Sequence, residues 1–130
     1  LMFQKEVGMR IVAEPRSKAY GRLSVLCQYR ADVEILFDIP RQAFIPPPKV
    51  TSSIVHITPR SEAVDAPKQK ILERVVSAAF NQRRKMLRAS LKALGTDPSP
   101  KLYAAGILET ARAEELSVED FSKLALEYQS

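Results

Sequence analysis

The chain has 130 residues, 45% of them hydrophobic and 27% charged, a mix that builds a folded domain rather than a disordered tail. Lysine and arginine total 20 against 15 for aspartate and glutamate, a formal net charge of +5. A single cysteine, Cys27, excludes an internal disulfide framework and points to a reducing, cytoplasmic setting. No apolar run approaches the roughly 20 residues that span a bilayer, so no membrane partner is expected. The four glycines, Gly8, Gly21, Gly95 and Gly106, lie 11 or more residues apart, too far for a glycine-rich phosphate loop or a dinucleotide fingerprint. The chain opens on Leu1 inside an apolar run, which suggests a fragment of something longer.

In chain order, Leu1–Gln4 reads as the end of a strand. Lys5–Ala13 places Val7, Ile11 and Val12 at helical spacing, and Pro15 stops it. Ser17–Arg30 reads as a helix capped by Ser17, with Ala19, Leu23, Leu26 and Cys27 on one side. Val33–Ile39 alternates, which predicts a strand with Val33, Ile35, Phe37 and Ile39 on one face. A proline-rich stretch follows, and Ser53–Thr58 is a second strand candidate able to pair antiparallel with the first.

Residues 60–66 read as a linker between residues 1–59 and 67–130. Beyond it every segment reads helical. Lys68–Asn81 puts Ile71, Leu72, Val75, Val76, Ala79 and Phe80 on one stripe. Arg84–Leu94 predicts a second helix, ended by Gly95. Ser117 and Asp120 predict a reciprocal cap for a last helix buried through Val118, Phe121, Leu124, Ala125 and Tyr128. The fold class expected is α/β followed by a small all-α part.

Charge is uneven along the chain. Residues 67–101 hold nine basic and two acidic residues, and residues 102–130 hold two basic and six acidic. Arg83, Arg84, Lys85, Arg88 and Lys92 crowd the first of these blocks. On the predicted helix, residues 84, 88 and 92 form one row of like charges, mutually destabilising unless an anion lies against them. A phosphate backbone would serve, and so would an ordinary solvated face.

The segment Phe44-Ile45-Pro46-Pro47-Pro48-Lys49-Val50 is stiff, because proline fixes φ. Such a loop can hold Phe44 as a stacking surface for a base, or simply bury it at a sheet edge. His56 is the only histidine, and with one cysteine beside it in the inventory no metal site is expected. The acidic residues single out no acid–base pair.

Four stretches occur in a familiar order: Phe3-Gln-Lys-Glu-Val7 with Arg10, Tyr20-Gly-Arg-Leu-Ser-Val25, Phe44-Ile-Pro-Pro-Pro-Lys-Val-Thr-Ser-Ser53, and Ala79-Phe-Asn-Gln-Arg-Arg-Lys-Met-Leu-Arg88. Together with Arg112–Phe121 they closely resemble the bacterial small-subunit (16S) rRNA adenine N6-dimethyltransferases, the kasugamycin-sensitivity methylases. The resemblance covers essentially the whole chain. It implies that residues 1–59 are the last strands and helices of a Rossmann-like methyltransferase sheet, and that residues 67–130 form a C-terminal helical domain contacting RNA.

The same resemblance implies transfer of methyl groups from S-adenosylmethionine to N6 of two adjacent adenines near the 3′ end of 16S rRNA in the 30S subunit. Phe44, with Pro46 and Pro48 holding its loop, is implied to stack on the target adenine. Arg83, Arg84, Lys85 and Arg88, extended here to Lys92 and Lys49, are implied to meet RNA phosphates. The family's cofactor loop and catalytic Asn-Leu-Pro-Tyr motif are not in this chain, so it is expected neither to bind S-adenosylmethionine nor to methylate unaided. Two alternatives stay open: a non-catalytic ribosome-binding module, and a large-subunit rRNA adenine methylase of the macrolide-resistance type. An isolated fragment is also expected to self-associate through an exposed sheet edge.

Overall fold

Three strands, β1 (Met2–Gln4), β2 (Ala31–Ile39) and β3 (Ser52–Pro59), form a sheet in the order β1-β3-β2, antiparallel throughout. The computed structural model describes residues 1–61 and 66–129. Between β1 and β2 lie two helices, α1 (Lys5–Val12) and α2 (Arg22–Arg30). After the sheet come α3 (Gln69–Asn81), α4 (Leu87–Ser90), α5 (Ser99–Ala104) and α6 (Val118–Gln129).

Helix α1 follows β1 without a loop and lies against β3. Gly8 permits the approach: a Cβ there would meet the Ser53 Cβ at 3.3 Å and Val55 Cγ2 at 3.4 Å. The helix predicted over 17–30 begins only at Arg22. The Ser17 hydroxyl donates to the Glu14 carbonyl at 2.7 Å and caps a turn, not the helix. Gly21 takes the cap position with extended backbone, and its N–H donates to the Ser24 hydroxyl at 3.1 Å. That hydroxyl in turn donates to the Arg10 carbonyl and ties α2 to α1.

The alternation read over 33–39 breaks at Leu36. Ile35 pairs with Val55 and Phe37 with Ile54, so β2 carries one extra residue, a β-bulge. Val33 and Ile35 share the face of buried Val55, toward α1, whereas Phe37 and Ile39 turn to the other face. The shift brings Asp38 opposite Ser53, where its carboxylate accepts the Ser53 hydroxyl at 2.7 Å and meets Lys5 Nζ at 3.0 Å. On the far face Met2, Ile54 and Phe37 stand in one cross-strand row, with Met2 53% and Phe37 57% exposed.

The helical layer packs around Leu72, Val75, Val76, Leu87, Leu91, Leu102, Phe121 and Leu124, all buried. Each such side chain contributes about 1.5–3 kcal/mol. Tyr20 and Val25 from α2 and the turn before it belong to the same core. The helical core therefore draws on both sides of the predicted 60–66 linker, of which residues 62–65 lie outside the described residues. Gly95 ends the 3-10 turn Leu91–Leu94 at φ 93°, the left-handed conformation that favours glycine. The predicted reciprocal cap forms: Ser117 N–H donates to Asp120 Oδ2 at 3.1 Å, and Asp120 N–H to Ser117 Oγ at 3.0 Å.

Candidate functional site

The proline-rich loop leaves β2 through a 3-10 turn, Arg41–Ala43, and Phe44 N–H donates to the Arg41 carbonyl at 3.2 Å. Arg41 Nη1 reaches across the loop to the Lys49 carbonyl at 3.4 Å. The proline spacing announced the stiffness but nothing in the sequence announced this brace. Phe44 is half-buried, Ile45 fully exposed, Pro46 exposed and Pro48 half-buried, so the loop projects from the sheet edge instead of folding into the core. Beside it an open cleft of about 520 Å³ is lined by eight residues, among them the cations Lys5, Arg41 and Lys49 and the acid Glu6. Asp38 bonds to Ser53 and then Lys5, and these hold its carboxyl below the usual carboxylate range.

The basic cluster does not form the helical row that its spacing predicts. Helix α3 stops at Asn81, and residues 82–85 make a turn. Lys85 N–H donates to the Gln82 carbonyl at 2.9 Å. The chain is then captured sideways: Met86 bridges antiparallel to Arg112, Leu87 N–H donates to the Ala111 carbonyl at 2.8 Å, and Arg88 N–H to the Glu109 carbonyl at 3.1 Å. A continuous helix from 84 to 94 would forfeit those bonds. Arg84, Arg88 and Lys92 consequently lie on three different local structures: the turn, α4 and the 3-10 turn after it.

The cations of this segment differ in their surroundings. Arg83 is half-buried: Nη2 donates to the Tyr20 carbonyl at 3.0 Å and lies 3.7 Å from Glu114 Oε2, and the guanidinium sits 5.8 Å from the Phe80 ring centre. Arg88 Nη1 is 3.9 Å from Glu109 Oε1. Arg84, Lys85 and Lys92 are exposed, and among the described residues no ion pair engages them. Lys49 is exposed on the aromatic loop, on the other side of the molecule's sequence from this corner.

The glycines sit inside α1, at the cap of α2 and at two left-handed positions, 95 and 106. The β1–α1 junction runs straight from Gln4 to Lys5 with no glycine. Among the described residues no helix is long and apolar enough to cross a membrane.

An antiparallel three-stranded sheet packed against helices places the chain in the α/β class. The chain belongs to the ribosomal RNA adenine dimethylase family, whose profile matches residues 1–130. It is 61% identical over 125 residues to the ribosomal RNA small subunit methyltransferase A of Azorhizobium caulinodans, covering 96% of this chain and 43% of that protein. The protein of the same name from Xanthobacter autotrophicus is 59% identical over 125 residues, with the same coverages. The chain thus spans less than half the length of these curated relatives.

In structure it is similar to a dimethyladenosine transferase from Plasmodium falciparum, with a TM-score of 0.79, 24% identity, and coverage of 98% of this chain and 55% of that one. It is also similar to the 23S rRNA methyltransferase ErmE, with a TM-score of 0.59 at 24% identity, covering 97% of this chain and 52% of that one. These two likenesses show that the chain shares the fold of the matched portions of those proteins.

Proposed function

We propose that this chain is the RNA-presenting part of an S-adenosylmethionine-dependent enzyme that dimethylates N6 of two adjacent adenines near the 3′ end of 16S rRNA, on the 30S subunit in the cytoplasm. The observation that carries the reading is the 61% identity to a small-subunit rRNA methyltransferase over 96% of the chain. Cofactor binding falls to the portion that the relatives have and this chain does not match.

The residues divide the work by their surroundings. Phe44 presents a ring on a braced loop, where stacking on a flipped-out adenine is worth roughly 1–3 kcal/mol. Pro46 and Pro48 keep that ring in place, and Lys49 offers a cation beside it. Arg84 and Lys85 face solvent at the α3 turn and meet phosphates, with Arg88 and Lys92 flanking them. Arg83 shapes the turn from beneath through Tyr20, Glu114 and Phe80.

Binding of the chain to purified 30S and 50S particles tests the reading. Salt-sensitive binding to 30S, reduced by Arg84→Glu with Lys85→Glu, is expected. Equal binding to 50S particles would favour a large-subunit target instead.

A further inference from the structure

The basic surface does not stop at the 82–85 turn. Followed back along α3, the outward face carries Asn81, Ser77, Arg74 and Lys70, three or four residues apart and so on one stripe. The opposite face is the buried Leu72, Val75, Val76 and Ala79. Arg22, the first residue of α2, and the 3-10 turn Leu91–Leu94 wall this stripe into an open groove of about 620 Å³.

The groove carries three cations against one acid. Arg22, Lys70 and Arg74 line it and are all exposed. Glu73 is the one acid in the lining, and its Oε1 already accepts Gln69 Nε2 at 3.1 Å. Among the described residues no ion pair or hydrogen bond engages the side chains of Arg22, Lys70 or Arg74. Lys70 and Arg74, one turn apart, repel each other without an anion between them. No aromatic side chain lines the groove, so it offers nothing for a base to stack on. From Lys70 to Asn81 is about 16 Å at the helical rise, long enough to follow several successive phosphates of one strand.

We infer that this groove is a second RNA-backbone contact, in which phosphates leaving the Arg84–Lys85 corner run along α3 between Arg22, Lys70 and Arg74. The inference rests on the RNA reading proposed above. Because Arg22 precedes the sheet strands β2 and β3 and Lys70 follows them, a strand held here fastens both halves of the chain to one RNA. The contact is made to phosphates alone, so it adds affinity without reading sequence.

Anisotropy titrations of the full chain against the 3′-terminal stem-loop of 16S rRNA, repeated across salt concentrations, test this. Lys70→Glu with Arg74→Glu is expected to weaken binding about tenfold or more and to lower the salt slope by about 2. Lys70→Gln with Arg74→Gln, neutral changes at exposed positions, is expected to lower the slope in the same direction and serves if the glutamate variant does not fold. Parent affinity and slope in the groove variants, alongside a loss in Arg84→Glu with Lys85→Glu, would overturn the groove and leave the RNA reading standing. Absence of binding by the unsubstituted chain would overturn both.

Discussion

The phenol of Tyr20 donates a 2.7 Å hydrogen bond to the carbonyl of Leu116, 96 residues further along the chain. Its own carbonyl accepts Arg83 Nη2, and its ring meets Phe80 edge-on with centroids 5.9 Å apart. Tyr20 therefore joins the turn before α2, the basic turn after α3 and the segment that opens α6. Tyr20→Phe is expected to destabilise the chain by about 1–2 kcal/mol, since it leaves the buried Leu116 carbonyl without its donor. Urea unfolding measures this.

The same phenol sets a pH dependence. Burial, with Asp120 adding to it, pushes its pKa well above the ordinary value. The folded state then holds a proton that the unfolded state releases near pH 10, so stability falls as pH rises beyond that point. Urea midpoints from pH 8 to 11 are expected to fall more steeply for the unsubstituted chain than for Tyr20→Phe. Parallel slopes would deny the phenol this role.

Asp38 acts in the opposite sense. Its carboxyl is held low by Ser53 and then by Lys5, so the stabilisation is present above the ordinary carboxylate pKa and lost as pH falls through the lowered one. Asp38→Asn is expected to lower the melting temperature at neutral pH. The gap to the unsubstituted chain should close on acidification toward pH 3, which melting curves at stepped pH would record.

Phe44 is expected to matter for turnover more than for affinity. In a protein of the relatives' full length, Phe44→Ala should slow methylation about 10–100-fold at saturating RNA, matching roughly 1–3 kcal/mol of stacking. RNA affinity, carried by phosphate contacts, should change little. Full turnover in the alanine variant would remove Phe44 from the reaction.

The open side of the sheet predicts self-association. Leu1 and Val55 exchange backbone hydrogen bonds, so the neighbouring Met2 presents its N–H and C=O to the outer edge. The exposed Met2 and Phe37 lie on the face turned away from α1. Light scattering of the isolated chain is expected to show mass rising with concentration, and Met2→Lys to suppress it.

Much of this was legible in the residues themselves, and the exceptions have physical causes. The stripe of α3, the Gly95 stop and the Ser117–Asp120 cap are local, encoded within one or two turns, and the helices follow them. The antiparallel pairing of β2 with β3 matches the reading of one alternating run and a second strand candidate across a proline loop. The bulge at Leu36 did not, because it answers to Lys5 and Ser53, partners 33 and 15 residues from Asp38. The basic row failed for a similar reason: backbone groups at 86–88 bond to residues 109–112, which no helical period foretells. The aromatic loop is legible in its motif, whereas the Arg41 brace and the Arg83 contacts join residues 8 and 63 positions apart and leave no local pattern.

The central proposal concerns which adenines a protein of the relatives' full length containing this chain modifies. The direct measurement is mass spectrometry of 16S and 23S rRNA after incubating 30S and 50S particles with S-adenosylmethionine and a protein of the relatives' full length that contains this chain. The account predicts N6-dimethyladenosine at two adjacent adenines near the 3′ end of 16S rRNA, and none in 23S rRNA. Dimethyladenosine confined to 23S rRNA, or a 16S rRNA left unmodified, would contradict it.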